Sequence, residues 1–207
     1  MANALRARAS SWLVAAALLG AGAVAGTAST AMAASGPAVS QAAHLRPFTV
    51  VSPNFRDGHF LPRSAELGGP VGQGVCNGKN LAPALRWFNV PAGTKSFTLT
   101  ITDPDAPVAG GFHHWVVYNI PRSHPFLAGH GHNPFSEGTN DFGHVGYDGP
   151  CPPATGQPHH YVFTVYALKA GHVSGAHLTY GQLIAKIGPD VVGATSIIGK
   201  FRLPLHK

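Results

Sequence analysis

The sequence predicts a mainly β protein with one folded domain. Its 207 residues are 44% hydrophobic and 11% charged, which is enough for one sizeable core and too apolar for a chain that is disordered along most of its length. Glycine (26 residues) and proline (18 residues) are both abundant. Because these residues interrupt regular elements, their number indicates short strands joined by many turns rather than a bundle of long helices.

Short β-prone stretches recur along the chain. The clearest is Ser96–Thr102, in which polar and apolar residues alternate strictly, so we expect one buried and one exposed face. The continuously apolar runs at 115–118 and 161–168 favour positions near a sheet centre, covered on both faces. All the predicted strands are 48–51, 59–61, 84–90, 96–102, 114–120, 161–168 and 197–203.

One helix and one long irregular segment complete the pattern. Tyr180, Leu183 and Ile187 form an apolar stripe at helical spacing, which predicts a helix between Thr179 and Gly188. The segment 122–160 is crowded with Gly, Pro, His and Asn. A connection of this length indicates either a functional segment or several packed turns.

Residues 1–33 have the organisation of a secretory signal peptide. Arg6 and Arg8 precede an apolar run at 12–25, and Ala31-Met32-Ala33 is the small-residue pattern that signal peptidase recognises. The apolar run is shorter than the roughly 20 residues of a membrane-spanning helix. We therefore predict cleavage after Ala33 and a secreted or otherwise extracytoplasmic mature protein.

The mature chain then divides into a disordered leader, 34–46, and a folded domain, 47–207. Without Arg6 and Arg8 the basic count falls from 14 to 12 against 8 acidic residues, a formal charge of +4. The basic residues are scattered singly, so no nucleic-acid footprint is visible. A modest attraction to anionic lipid surfaces stays open beside the simpler interpretation, a soluble basic protein.

Two cysteines, Cys76 and Cys151, remain in the mature chain. In an oxidising compartment a pair without a C-x-x-C or zinc-ligand pattern is most simply one disulfide. We predict this bond between Cys76 and Cys151.

Several common chemistries are unsupported. The sequence has no P-loop, no dinucleotide-binding glycine motif, no zinc-protease motif and no serine-hydrolase elbow. Thirteen histidines raise the question of a metal, but His130-x-His132 and the two His-His pairs lack a recognised ligand spacing. We expect no metal, no cofactor and no nucleic-acid partner.

Polar residues gather at the ends of the predicted strands. Asp103-Pro104-Asp105-Ala106-Pro107 follows the alternating strand, His113-His114 opens the next strand, and His159-His160-Tyr161 opens the strand after the long segment. These ends would converge if the strands are neighbours. Two alternatives remain: the aspartates only cap turns, and strand-end histidines are as often satisfied surface or core residues as functional ones.

Six stretches, in a fixed order, together carry a resemblance. They are Cys76–Trp87, Thr102–Pro107, His114–Pro121, Asn140–Gly143, Gly146–Pro153 and His159–Phe163. In this order they resemble the successive motifs of the phosphatidylethanolamine-binding protein family, in its short bacterial form of Raf kinase inhibitor-like proteins. The match covers nearly all of Pro47 to Leu203, and ordered motifs are far more specific than any one alone.

The resemblance implies a large antiparallel sheet packed on a smaller sheet, with few peripheral helices and a small anion pocket at the strand ends. Imidazole and phenol groups are donors for phosphate oxygens, and a carboxylate can orient a histidine or meet an ammonium group. His160 stands where an arginine is common, which puts in doubt a further fixed positive charge at the rim. Carried over by motif, the pocket residues are Asp103, Pro107, His114, Pro152, His159 and Tyr161, with His113 beside them.

The function that this resemblance implies is binding, without catalysis, of a phosphate-bearing small molecule or a phospholipid head group. Peripheral membrane contact would accompany the second. The alternative is a protein inhibitor or regulator of an extracellular protease or host signalling protein; an enzyme acting on a small anionic substrate is a third. Because imidazole has an ordinary pKa of about 6.5, we expect His114 and His159 to gain charge between about pH 8 and 6 and to strengthen anion binding.

Overall fold

The computed structural model describes residues 46–69, 76–129 and 134–205. The predicted signal peptide, the predicted leader up to residue 45 and the His130-x-His132 pair lie outside the described residues. Two β-sheets, one α-helix and two short 3-10 helices make up the regular structure that is described, which confirms the mainly β fold.

The described strands are β1 (Thr49–Val51), β2 (His59–Phe60), β3 (Leu85–Phe88), β4 (Ser96–Asp103), β5 (Phe112–Pro121), β6 (Phe126–Leu127), β7 (Ser136–Glu137), β8 (His159–Leu168) and β9 (Val191–Phe201). The α-helix is α1 (Tyr180–Ile187), and the 3-10 helices are Arg63–Ala65 and Gly188–Asp190. Thr179 caps α1 in a capping box with Gln182, which is the start that the sequence predicts.

The strands form a large and a small sheet. The large sheet has the order β2-β9-β8-β4-β5-β7, and the small sheet has the order β1-β3-β6. All described pairs are antiparallel except β2 with β9, which run parallel at one edge. The core lies between the two sheets, where Trp87 of β3 meets Phe97 of β4 with ring centroids 5.2 Å apart.

Strand β4 is buried on both faces, so the prediction of one exposed face is wrong. Phe97, Leu99 and Ile101 pack in the core between the sheets. The alternate residues Thr98 and Thr100 are 0% and 2% exposed on the other face. A second apolar cluster, built by β5, α1 and the loop before it, covers that face. Alternation within β4 could not reveal a cover that comes from a distant part of the chain.

Two further predictions on strands need correction. Buried and half-buried residues alternate along most of β8, so this strand is not covered on both faces as its apolar run predicted. The last strand is Val191–Phe201 rather than 197–203. Its first half contains Gly193, Ala194 and Ser196, which weaken the strand pattern, but this half pairs with β8 and gains its ladder hydrogen bonds.

The long segment 122–160 consists of packed turns with two short strands. β6 joins the small sheet, and β7 adds an edge to the large sheet beside β5. Backbone hydrogen bonds fasten the segment to the start of β5: Asp141 N–H donates to His113 O at 2.9 Å, and Asp148 N–H donates to His114 O at 3.1 Å.

The predicted disulfide is confirmed. Cys76 and Cys151 are bonded across 75 residues, with Cα atoms 5.9 Å apart. Nearby, Leu67 N–H donates to Pro150 O at 3.0 Å. The disulfide and this hydrogen bond hold the segment before β3 against the segment before β8.

Candidate functional site

A small pocket lies where β4 ends and where β5 and β8 begin. The antiparallel register sets Asp103 opposite Phe112 and Thr102 opposite Val162, so the three strand ends meet at one edge of the sheet. The cavity measures about 170 Å³. The predicted residues that line it are Asp103, Pro107, His114, Pro152, His159 and Tyr161. Ala106, Phe112, Phe142, Cys151 and Pro153 complete the wall.

A larger groove of about 410 Å³ lies on the small sheet, against Arg86 and Phe126. The lining of both cavities is mostly apolar, and Arg86 is the one charged side chain of the groove. The smaller pocket, in contrast, brings together a carboxylate, two imidazoles and a phenol, which is the pattern of a site for a small polar ligand. We therefore take the smaller pocket as the candidate site.

A slip in strand register positions His114 in this pocket. Ile101 pairs with Trp115 and Thr102 pairs with His113, so His114 is an extra residue without a partner on β4. Such bulges change the direction of a side chain and occur often beside functional sites. The slip turns His114 to the core side of the sheet, where its ring lies 5.1 Å from the Tyr161 ring.

His114 is 3% exposed, and a hydrogen bond fixes the side of its ring that faces away from the pocket. Its Nδ1 lies 2.8 Å from the carbonyl oxygen of Asp148. Because a carbonyl only accepts, Nδ1 carries the hydrogen, and Nε2 makes no hydrogen bond among the described residues. Burial lowers the pKa of His114 below its ordinary value, against the opposing effect of the hydrogen bond to Asp148. This lowering opposes the expected gain of charge by His114 between pH 8 and 6.

A buried network keeps Asp148 in place. Its Oδ2 accepts a hydrogen bond from Asn140 Nδ2 at 3.0 Å and lies 2.9 Å from His144 Nδ1. Asn80 Nδ2 donates to Oδ1 at 3.3 Å. Asp148, Asn140 and Asn80 lie inside the motifs that carry the resemblance, whereas His144 lies between two of them. The motifs indicate no role for these residues, because spacing alone does not reveal which backbone carbonyl a ring will contact.

The second imidazole, His159, is paired with a buried carboxylate. Its Nδ1 lies 2.8 Å from Asp103 Oδ2, and Asp105 N–H donates to Asp103 Oδ1 at 2.9 Å. The two side chains are 13% and 4% exposed. Both oxygens of Asp103 are thus engaged, and Nε2 of His159 is the ring atom left for a ligand.

Tyr161 brings a hydroxyl to the same wall. The residue is 1% exposed, and its hydroxyl has no hydrogen-bond partner within the described part of the chain. Burial and the nearby charge of Asp103 raise the pKa of Tyr161 above its ordinary value, so the hydroxyl keeps its hydrogen. The Asp103 carboxylate lies close to this hydroxyl, but the contact does not have the geometry of a hydrogen bond, so the donor is left unsatisfied.

A second His–Asp pair lies beside the first at the rim. His160 Nδ1 lies 2.7 Å from Asp105 Oδ2, and this oxygen also accepts from His160 N–H at 2.7 Å. The side chains are 40% and 41% exposed. Burial raises the pKa of Asp105, but the hydrogen bonds from His160 outweigh it and hold the pKa below its ordinary value.

His113, predicted beside the pocket, does not line it. Its ring stacks on Tyr180 of α1 with centroids 3.7 Å apart, and its Nδ1 lies 2.7 Å from Asp141 Oδ2. The slip at His114 separates the two neighbouring rings. His113 therefore packs against the helix on the other face of the sheet, and we correct its assignment as a ligand-binding residue.

Sequence reasoning missed the aromatic wall of the pocket. Phe112 and Phe142 contact each other edge to face at 4.7 Å, and Phe142 meets the His114 ring at 5.7 Å. Phe142 belongs to a quoted motif, but Phe112 precedes one and gave no separate signal. In the described ranges, no group of three or more His, Cys, Asp or Glu side chains has the arrangement of a metal site.

Fold and site together define a two-sheet β protein with a small pocket at the strand ends, mostly apolar and with a few polar groups. The family model for phosphatidylethanolamine-binding protein matches residues 51–202. The chain therefore belongs to the phosphatidylethanolamine-binding protein family. No helix in the described residues is long and apolar enough to cross a membrane.

Curated relatives agree with this membership. The chain is 40% identical over 145 residues to the UPF0098 protein YbcL of Escherichia coli, covering 66% of this chain and 77% of YbcL. It is 38% identical over 166 residues to a UPF0098 protein of Aquifex aeolicus, covering 74% and 87%. LppC of Mycobacterium tuberculosis, a predicted lipoprotein, is 35% identical over 165 residues, covering 79% and 77%.

Solved structures agree as well. The crystal structure of Escherichia coli YbcL, described as a member of the mammalian PEBP family, superposes with a TM-score of 0.69 at 32% identity, covering 76% of this chain and 99% of that one. The PEBP homologue CT736 of Chlamydia trachomatis has a TM-score of 0.67 at 27% identity, covering 76% and 98%.

Proposed function

We propose that this protein is a secreted binding protein whose pocket takes phosphate-bearing small molecules or phospholipid head groups. The observation that carries the proposal is the buried hydroxyl of Tyr161, which has no partner among the described residues. Leaving a buried donor unsatisfied costs about 1–3 kcal/mol. An oxygen of a bound anion would satisfy this donor and recover the cost.

The size of the pocket supports a small ligand group. At about 170 Å³ it is smaller than the roughly 300–1,000 Å³ of sites for drug-sized molecules. A single phosphate group matches this scale better than an acyl chain does. A phospholipid would then present its head group to the pocket and leave its chains in the membrane.

Binding without turnover is part of the proposal. Both oxygens of Asp103 are engaged by His159 and by Asp105 N–H, so this carboxylate is poorly placed to act as a nucleophile. Phosphorus NMR of a phosphomonoester incubated with the protein would then show the ester unchanged. Release of inorganic phosphate above the buffer control would contradict this part of the proposal.

An extracytoplasmic location is part of the proposal, and the disulfide supports it. A disulfide persists in oxidising compartments, and the Cys76–Cys151 bond fits the predicted signal peptide. We expect the mature protein outside the cytoplasm to begin at Ala34, which mass spectrometry of its N-terminus would establish. A chain that keeps residues 1–33 and stays in the cytoplasm would contradict export.

Calorimetric titration tests the binding. We expect the wild type to bind methyl phosphate and glycerophosphoethanolamine, or at least one of them, with one site per chain. Tyr161→Phe removes one donor and should weaken binding about ten-fold. Tyr166→Phe is the matched control: it lies on the same strand, loses the same hydroxyl and does not line the pocket. Absence of binding to both ligands would overturn the proposal.

A further inference from the structure

The polar groups of the pocket are not all donors. His114 uses its Nδ1 hydrogen on the Asp148 carbonyl at 2.8 Å, so its neutral ring turns a lone pair on Nε2 toward a ligand. Tyr161 offers a hydroxyl hydrogen. His159, held through Nδ1 by Asp103, offers an Nε2 hydrogen when it is protonated. With His159 in that form, the pocket has one acceptor, His114 Nε2, and two donors.

The surroundings of His114 favour its neutral form. Three aromatic rings, those of Phe112, Phe142 and Tyr161, lie within 5.1 to 5.7 Å of the imidazole centroid. The carboxylates of Asp103, Asp148 and Asp141 face the ring from other segments and favour its charged form. Burial outweighs them, and the pKa of His114 is lowered.

Resting on the proposed function, we infer that the pocket selects phosphate groups that carry a hydroxyl hydrogen, namely the monoanions of phosphomonoesters, over phosphodiesters and sulfate esters. Such a monoanion has three oxygens besides the ester oxygen. Its P–OH donates to His114 Nε2, and its two other oxygens accept from Tyr161 and from protonated His159. Each of the three polar groups of the pocket then has one hydrogen-bond partner on the ligand.

An anion without this hydrogen loses the match. When a diester or sulfate oxygen lies opposite His114 Nε2, two hydrogen-bond acceptors face each other and no hydrogen lies between them. An unsatisfied buried acceptor weakens binding by about ten-fold or more. An ammonium group on a ligand would supply a hydrogen by another route, so the test uses ligands without nitrogen.

Methyl phosphate, methyl sulfate and dimethyl phosphate test the inference by calorimetry at pH 5.5. Because a phosphomonoester has its second pKa near 6, methyl phosphate is mainly a monoanion there, so all three ligands carry one negative charge. Methyl sulfate also matches methyl phosphate in shape. We expect methyl phosphate to bind at least ten-fold more tightly than either of the others.

Equal affinities for methyl phosphate and methyl sulfate would overturn the inference and leave the proposed function standing. They would mean that His114 takes up a proton on binding and becomes a donor. Binding of none of the three anions would overturn the inference, and the proposed function would fall with it only if glycerophosphoethanolamine also failed to bind. Nitrogen NMR of the His114 ring in the methyl phosphate complex gives an independent reading: Nε2 should be unprotonated, and a hydrogen on Nε2 would overturn the inference.

Two variants locate the selectivity. His114→Phe removes the acceptor, and the affinity ratio of methyl phosphate to methyl sulfate should fall toward one. His160→Phe is the matched control, because His160 is also held through Nδ1 by an aspartate but does not line the pocket. Its ratio should equal that of the wild type. An unchanged ratio in a folded His114→Phe protein would overturn the inference.

Discussion

Two neighbouring His–Asp pairs differ in burial and in little else. His159 with Asp103, the inner pair, and His160 with Asp105, the outer pair, are formed by the same two segments at 2.8 and 2.7 Å. The inner side chains are 13% and 4% exposed, whereas the outer ones are 40% and 41% exposed. Water screens the outer pair, so an equal distance does not mean an equal contribution.

The comparison shows how one sequence pattern produces two roles. Asp103 and Asp105 are two residues apart, and His159 and His160 are adjacent. The inner pair lines the cavity, while the outer pair is not part of its lining. Because the inner pair is shielded, we expect changes there to alter both ligand binding and stability, and changes in the outer pair to alter neither by much.

The largest expected effect comes from removing the disulfide beside the cavity that the inner pair lines. Cys151 lines the cavity and is tied to Cys76. The double variant Cys76→Ser/Cys151→Ser should lose about 4 kcal/mol of unfolding free energy in the chain-entropy model. Urea denaturation measures the loss. Reduced wild type is the control and should show a similar loss; a loss below about 1 kcal/mol would contradict the chain-entropy account.

The next largest effect is the difference in stability between variants of the inner pair and variants of the outer pair. Asp103→Ala removes a buried carboxylate that accepts two hydrogen bonds, and we expect a loss of about 2–3 kcal/mol of unfolding free energy. Asp105→Ala, the matched change in the outer pair, should cost less than about 1 kcal/mol. Equal losses by urea denaturation would show that burial does not separate the two pairs.

The free energy of unfolding should also depend on pH, because His114 binds a proton less readily in the folded protein than in the unfolded chain. Its pKa is lowered in the folded protein from the ordinary 6.5, so the unfolded chain binds the proton more readily. Unfolding free energy should therefore fall as pH drops below 6.5 toward the folded pKa. His114→Phe should lose less stability between pH 7.5 and 5.5 than the wild type. Parallel pH profiles for the two proteins would contradict the neutral, buried ring.

The smallest expected effect belongs to the outer pair in acid. The pKa of Asp105 is held below its ordinary 3.8, so its stabilising contribution is present above that value and is lost as pH falls through the folded pKa. Asp105→Asn should slightly flatten the loss of stability below pH 4. Added salt should weaken the wild-type contribution, because the pair is exposed. A profile identical to the wild type would show that the pair contributes nothing.

Much of the fold could be predicted because the signals are local. The alternation in β4, the apolar runs of β5 and β8 and the stripe of α1 each lie within one element. The second cover of β4 and the first half of β9 could not be predicted in this way. Both depend on partners that are distant in the sequence, and the residues of a strand do not indicate which segments will pack against it or pair with it.

The pocket was predicted by motif rather than by periodicity. Simple alternation would place His113, not His114, on the same face as Trp115, and the slipped register reverses this. The ordered motifs identified His114, but adding His113 to the pocket was wrong. The lone pair on His114 Nε2 was also hidden, because it depends on the backbone carbonyl of Asp148.

The most direct test of the account is to observe which histidine rings respond to a ligand. Nitrogen-15 NMR of the histidine rings can follow a titration with methyl phosphate. We expect the signals of the His114 and His159 rings to shift and saturate together, while those of the His160 and His113 rings change little. Shifts confined to His160, or no shifts at all, would contradict the assignment of ligand binding to the buried pocket.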